Sequence, residues 1–140
     1  MSVKFDTNET APSVEKWLRE AKEDVMAEDR GMYLLHNGVV RISPKEYVRE
    51  GKGPKTGVET LAFSYNGEKV LEAIDETGRM KGITHIRVWL NKGSLKVGDD
   101  IMYVLVGGDI RPNVVEGLLY LVGRIKNECV TEIEEMSNIE

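Results

Sequence analysis

The chain has little cysteine, little histidine and no long apolar run, and each shortage removes a class of function. Its single cysteine, Cys129, excludes a disulfide within the chain and fits a reducing compartment, so the cytoplasm is the expected location. The two histidines, His36 and His85, have no ligand-like spacing to each other or to Cys129, which argues against a zinc site and leaves no metal expected. No apolar run approaches the roughly 18 residues that span a bilayer, so no membrane partner is expected. The stretch MSVKFDTNETAPSVEKWLREAKED lacks the apolar core and cleavage pattern of a signal peptide and does not read as one. A net charge of −5 argues against a general nucleic-acid binder, which needs a basic face. From Asn127 to Glu140 there are five Glu and no Lys or Arg, and the simplest reading is a solvated, frayed terminus.

What remains is a 140-residue chain of ordinary globular composition, long enough for one domain with a real core. Residues 1–12 read as a loose leader, 13–135 as a single domain and 136–140 as an acidic tail. Ser13 can cap a helix with Val14, Trp17, Leu18, Ala21, Val25 and Met26 at helical spacing. MYLLHNGVVRI (32–42) is rich in strand formers, with Gly38 placed for a bulge. Residues 43–57 hold three glycines, two prolines and four basic residues, as a long surface loop does. A strand (58–65), a helix (68–77, with Val70, Leu71, Ala73 and Ile74 on its stripe) and strands at 83–90 and 100–107 follow. A final helix starts near Pro112, with Val114, Val115, Leu118, Leu119, Leu121, Val122 and Ile125 turned inward. The fold class is α+β: a two-layer, α/β-hammerhead-like domain with antiparallel strands and a long C-terminal helix.

GKGPKTG in the loop resembles a phosphate-binding loop but fails the Gly-x-x-x-x-Gly-Lys-Ser/Thr spacing, so ATP binding by that motif is rejected. Cys129 stands among glutamates that disfavour a thiolate, the reverse of an activated nucleophile. The candidates left are cations. Arg41 follows a strand end, and Arg111 stands at a helix mouth where free N–H groups and the dipole favour an anion. Lys126 is flanked by Ile125 and followed by Cys129 and Val130. A lysine held in an apolar wall can have its pKa lowered and act as a nucleophile or proton carrier. The plain alternatives are a surface ion pair for each arginine and a dipole-complementing lysine.

Taken in order, these features resemble the large, catalytic subunit of molybdopterin synthase, the MoaE family, over about Ser13 to Glu135. GMYLLHNGVVR (31–41) matches the frame GAVVxFxGxVR, with Gly38 and Arg41 on the family's Gly and Arg. GxLxxGD recurs as Gly93-Ser-Leu95-Lys-Val-Gly98-Asp99, and the strand, corner and lysine-ended helix recur at 100–126. The resemblance implies molybdenum cofactor biosynthesis. A small ubiquitin-like subunit presents a C-terminal Gly-Gly thiocarboxylate, and sulfur passes to cyclic pyranopterin monophosphate (precursor Z) to form molybdopterin. It implies Lys126 as the catalytic residue and Arg41 and Arg111 as substrate binders. It also implies a pterin phosphate substrate with no tightly bound cofactor, and a central homodimer carrying a small subunit at each end.

The sequence departs from the family at Ile110 (a histidine there), at Val130 and Glu132 (proline and tryptophan), and at Ile133 (a second catalytic lysine). Leu90-Asn-Lys-Gly93 stands where the family has HRxG. Lys52 and Lys55, in the loop, are therefore candidates to replace the missing lysine. The departures also define an alternative: a non-catalytic relative that binds a Gly-Gly-tailed carrier or a phosphate ligand. Fifteen helical residues separate Arg111 from Lys126 by roughly 22 Å, so a site that uses both draws Arg111 from a second subunit.

Overall fold

A computed structural model describes residues 2–43 and 56–138. In chain order these form β1 (Ser2–Asp6), α1 (Val14–Lys22), a 3-10 turn (Ala27–Asp29), β2 (Met32–Val39), β3 (Thr56–Tyr65), α2 (Gly67–Gly78), β4 (Ile83–Leu90), β5 (Gly93–Lys96), β6 (Asp100–Gly108), α3 (Arg111–Arg124), a π-helical turn (Ile125–Cys129) and β7 (Val130–Asn138). The fold is α+β, with two antiparallel-rich sheets and a long C-terminal helix. One sheet has the order β1-β4-β6-β2, in which only the β1–β4 pair is parallel, and the other has the order β5-β3-β7.

Local chemistry sets the helix starts. The Ser13 side chain accepts from the Lys16 N–H at 3.2 Å, and Asn66 does the same for Lys69 at 3.2 Å, each satisfying a donor that the first turn leaves free. The four-stranded sheet is apolar on both faces. On one face Ile86, Val88, Val104 and Val106 pack with Val70 and Ile74 of α2 and Val114, Leu118 and Leu121 of α3. On the other, Trp89 and Leu105 pack against Trp17 of α1, with Tyr33 and Tyr103 around them. Arg87 closes that side, paired with Asp6 at 3.0 Å and with Glu20, its guanidinium 4.9 Å from the Trp17 ring centroid.

Several expectations are corrected. Within the supposed leader, Ser2–Asp6 is a strand, in register from Ser2 opposite His85 to Asp6 opposite Trp89. Its ladder and the buried Asp6–Arg87 pair hold a segment that carries little apolar signal. The acidic end is not a frayed tail either, since β7 pairs with β3 along its length and runs into the stretch assigned to the tail. Between the strands expected at 83–90 and 100–107 lies a further strand, β5, whose one buried side chain is Leu95. Helix α1 stops at Lys22, which leaves Val25 exposed, and Leu71 and Leu119 point outward rather than into their stripes. Gly38 does mark a bulge, because the β2–β6 register shifts between Gly38 and Val39.

Candidate functional site at the end of the last helix

Strand β6 ends at Gly108, opposite Met32, and α3 starts three residues later and packs back along β6 and β2. In β2, Leu34, His36 and Gly38 stand opposite Val106, Val104 and Met102, all buried in the core that α3 covers. Opposed residues share a face of an antiparallel pair, so His36 lies on the side of the sheet that the returning helix occupies. The first turn of α3 therefore sits by the start of β2, and its last turn by the far end.

At the first turn, Arg111 is the first helical residue and is exposed. Ile110, the N-cap residue, offers no side-chain cap and is 57 % exposed. The helix mouth carries an anion of its own. Asp109 Oδ1 accepts from the Ile110 N–H at 2.6 Å and from Asn113 Nδ2 at 2.9 Å. The Asn113 bond, then the Ile110 N–H, hold its carboxyl below the usual carboxylate range. The expected vacant anion site at Arg111 is thus partly filled by the chain itself. The corner is tight: Gly82, at φ 78°, faces the Asp109 and Asn113 side chains, and a side chain on Gly108 would meet the Gly82 carbonyl. An open groove of about 520 Å³ runs past Gly31, Met32 and Asp109 to Pro112.

At the last turn the helix widens. The π-helical turn buries Ile125 and Cys129 and presents Lys126, Asn127 and Glu128 to solvent. Lys126 is thus exposed rather than held in an apolar wall, and it has no ion pair among the described residues. Arg124, two residues back, is committed to Glu76 and Glu128, and its Nη1 lies 2.9 Å from the Tyr120 hydroxyl. The Tyr120 and Glu76 contacts raise its pKa further. Burial pushes the Cys129 thiol up, so that side chain is a structural apolar group.

One residue at this end was not picked out by sequence reasoning. His36 has a buried Nε2 with no hydrogen-bond partner among the described residues. Burial first, and then the charge of Lys126, hold its pKa below the usual histidine value. The same Nε2 lies 3.6 Å from where a Cβ on Gly38 would stand. The available signal was the frame GAVVxFxGxVR, in which His36 occupies the position of the aromatic.

The structure thus brings Lys126 and His36 together at the end of α3 that faces the last residues of β2. Arg41 follows β2 there, exposed, its Nε donating to the Ser43 carbonyl at 3.1 Å. Arg111 is at the opposite end of the helix, about 22 Å away by helix length. Lys52 and Lys55 lie outside the described residues. Among the described residues no three His, Cys, Asp or Glu side chains gather around a metal position, and no helix is long and apolar enough to cross a membrane.

A family model described as MoaE protein matches residues 8–128. The chain is similar in structure to molybdopterin synthase from Staphylococcus aureus, with a TM-score of 0.70 and 18 % identity over 96 % of this chain and 97 % of that one. It is similar to the molybdopterin biosynthesis MoaE protein from Burkholderia ambifaria MC40-6, with a TM-score of 0.69 and 14 % identity over 99 % and 88 % of the two chains. A complex of subunits 1 and 2 of the molybdopterin-converting factor from Helicobacter pylori 26695 gives a TM-score of 0.65 at 14 % identity, over 97 % of this chain and 90 % of that one. Comparison with curated proteins finds no match.

Proposed function

The chain belongs to the MoaE protein family, and from that premise we propose that it is the large subunit of a molybdopterin synthase acting in molybdenum cofactor biosynthesis. In this reading a ubiquitin-like carrier brings a C-terminal thiocarboxylate to the exposed end of α3, and sulfur passes to a cyclic pyranopterin phosphate. The observation that carries the reading is the exposed Lys126, set by the π turn beside the end of β2 with no ion pair of its own among the described residues. An ammonium there offsets the negative charge that develops as the acyl carbon–sulfur bond breaks. Arg41, on the chain leaving β2, supplies a cation for the phosphate or the tail carboxylate. Arg111 is too far along the helix to join the same site from the same chain, so it serves the site of a second protomer in an isologous dimer.

A second reading, a binding module without turnover, is favoured by Ile110 and Ile133. Both are exposed, at 57 % and 58 %, where the family resemblance implies a histidine and a lysine. The test supplies purified protein with thiocarboxylated carrier and pterin precursor, and measures molybdopterin. The enzyme reading expects product from the wild-type chain and none from Lys126→Ala, with that variant still a folded dimer by light scattering. Carrier binding with no product from the wild-type chain would replace it with the binding-module reading.

A further inference from the structure

We propose that His36 is a positioning residue for Lys126: with its ring neutral and the proton on Nδ1, its Nε2 accepts a hydrogen bond from the Lys126 ammonium and aims it at the reacting carbon. The inference rests on the reading of Lys126 as the working amine, and its geometry comes from the fold. His36 lies on the sheet face that α3 covers, opposite Val104, and Lys126 stands in the turn that ends that helix.

His36 Nε2 is buried and has no partner among the described residues. A buried polar atom without a partner costs stability, and an acceptor in that state is satisfied by the nearest mobile donor. Among the described residues, the groups around His36 narrow the donor to one. From β6 it is faced by apolar Val104 and Met102, while Tyr103 lies on the opposite face, against Trp17 and Trp89. Asp100, at the strand start, is engaged by the Asn37 amide at 3.1 Å. From α3 and its end come Leu118, Leu121 and Ile125, all buried and apolar, and Arg124 is committed to Glu76 and Glu128. Among the described residues Lys126 is the one charge that shifts His36, and its flexible stem carries three donors.

The electrostatics agree in direction. A protonated ring beside Lys126 would repel it and present no acceptor at Nε2, and both burial and the Lys126 charge favour the neutral ring. Gly38 contributes by bearing no side chain, since a Cβ there would stand 3.2 Å from Met102 Cγ and crowd the approach to the ring. An imidazole in an aromatic's place thus gives this chain a fixed acceptor for its lysine, near a site where the second lysine of the resemblance is Ile133.

Two measurements test this, and the first does not depend on turnover. NMR titration of the His36 ring in the wild-type protein and in Lys126→Gln is expected to show its pKa rising in the variant while staying below the usual value, because burial remains. The ring nitrogen shifts of the wild type are expected to report protonated Nδ1 and bare Nε2. An unchanged His36 titration in Lys126→Gln, or a proton resident on Nε2, overturns the proposal whether or not the protein makes molybdopterin. The second measurement is steady-state turnover. His36→Phe, which restores the aromatic of the family frame, is expected to lower kcat on the order of tenfold or more with little change in KM for the pterin phosphate. His36→Gln keeps an acceptor that does not titrate, so it is expected to recover most of the loss and to flatten the acid side of the pH profile. Wild-type kcat in His36→Phe with an unchanged acid limb overturns the proposal. Product absent from the wild-type protein with the NMR result intact counts against the enzyme reading alone.

Discussion

The two ends of helix α3 are built on opposite principles. The first turn is locked by backbone: Gly82 and Gly108 leave no room for a side chain, and Asp109 binds the adjacent Ile110 N–H and Asn113. The last turn is held by side chains, through Ile125 and Cys129 inward and the Arg124 contacts to Glu76 and Glu128, and it leaves Lys126 outward. Two histidines have a ring nitrogen unpartnered among the described residues, and they lie on opposite faces of the four-stranded sheet. His85, across from Gly107 on the face that α1 covers, is buried with both ring nitrogens unpartnered among the described residues and lies edge-on to Tyr33, beside Arg30. His36 feels the charge of a mobile lysine instead. A rigid corner positions; an adjustable end has room for chemistry.

The largest effect that tests this contrast is steric. Gly108→Ala drives a methyl into the Gly82 carbonyl and against Val114, so a loss of roughly 2–4 kcal/mol is expected in denaturant unfolding. A loss within about 0.5 kcal/mol would show that the first turn is not locked. The next effect is electrostatic and falls on the α1 side of the sheet, opposite α3. Burial, then the Arg30 charge, hold the His85 pKa at about 4, below the ordinary 6.5. Between those values the unfolded chain binds a proton that the folded chain refuses, so stability is full above pH 6.5 and falls as pH drops toward 4. The loss is on the order of 3 kcal/mol, and pH-dependent unfolding of the wild type and His85→Leu, which removes that step, measures it. The smallest effect on stability belongs to the exposed isoleucines. Ile110→His with Ile133→Lys is expected to change stability by no more than about 0.5 kcal/mol per site, because neither side chain is buried. The same double variant is expected to raise molybdopterin formation if the two isoleucines limit the site, and unchanged output would remove them from the account.

How much of this was legible in the sequence follows from where each signal resides. β4 and α2 were readable because apolar period and turn residues coincide there, as at Asn66-Gly67. β1, β5 and β7 were not, because backbone ladders hold strands whose side chains are mostly polar or exposed. Leu95 is the one buried side chain of β5, and β7 alternates Glu with exposed Thr131 and Ile133. For the site, residue types gave three cations and the family resemblance gave their roles. The sequence placed Arg111 and Lys126 at opposite ends of one helix, but it did not show that Asp109 occupies the helix mouth, since that depends on the Gly82 turn. His36 was missed because a lone polar residue in an apolar strand carries no sign of what covers it.

The π-helical turn has a further consequence, one of parity. A turn closed by i→i+5 bonds holds one residue more than an α-helical turn over the same path, and strand faces alternate with every residue. The count through Ile125–Cys129 therefore decides which half of β7 looks at the domain: Val130, Glu132 and Glu134 are half-buried, and Thr131, Ile133 and Glu135 face water. Deleting one residue from the turn would exchange the two sets along the whole strand. The position seven residues after Lys126 is thus assigned to solvent by the odd or even length of a single turn, before the identity of its side chain matters at all.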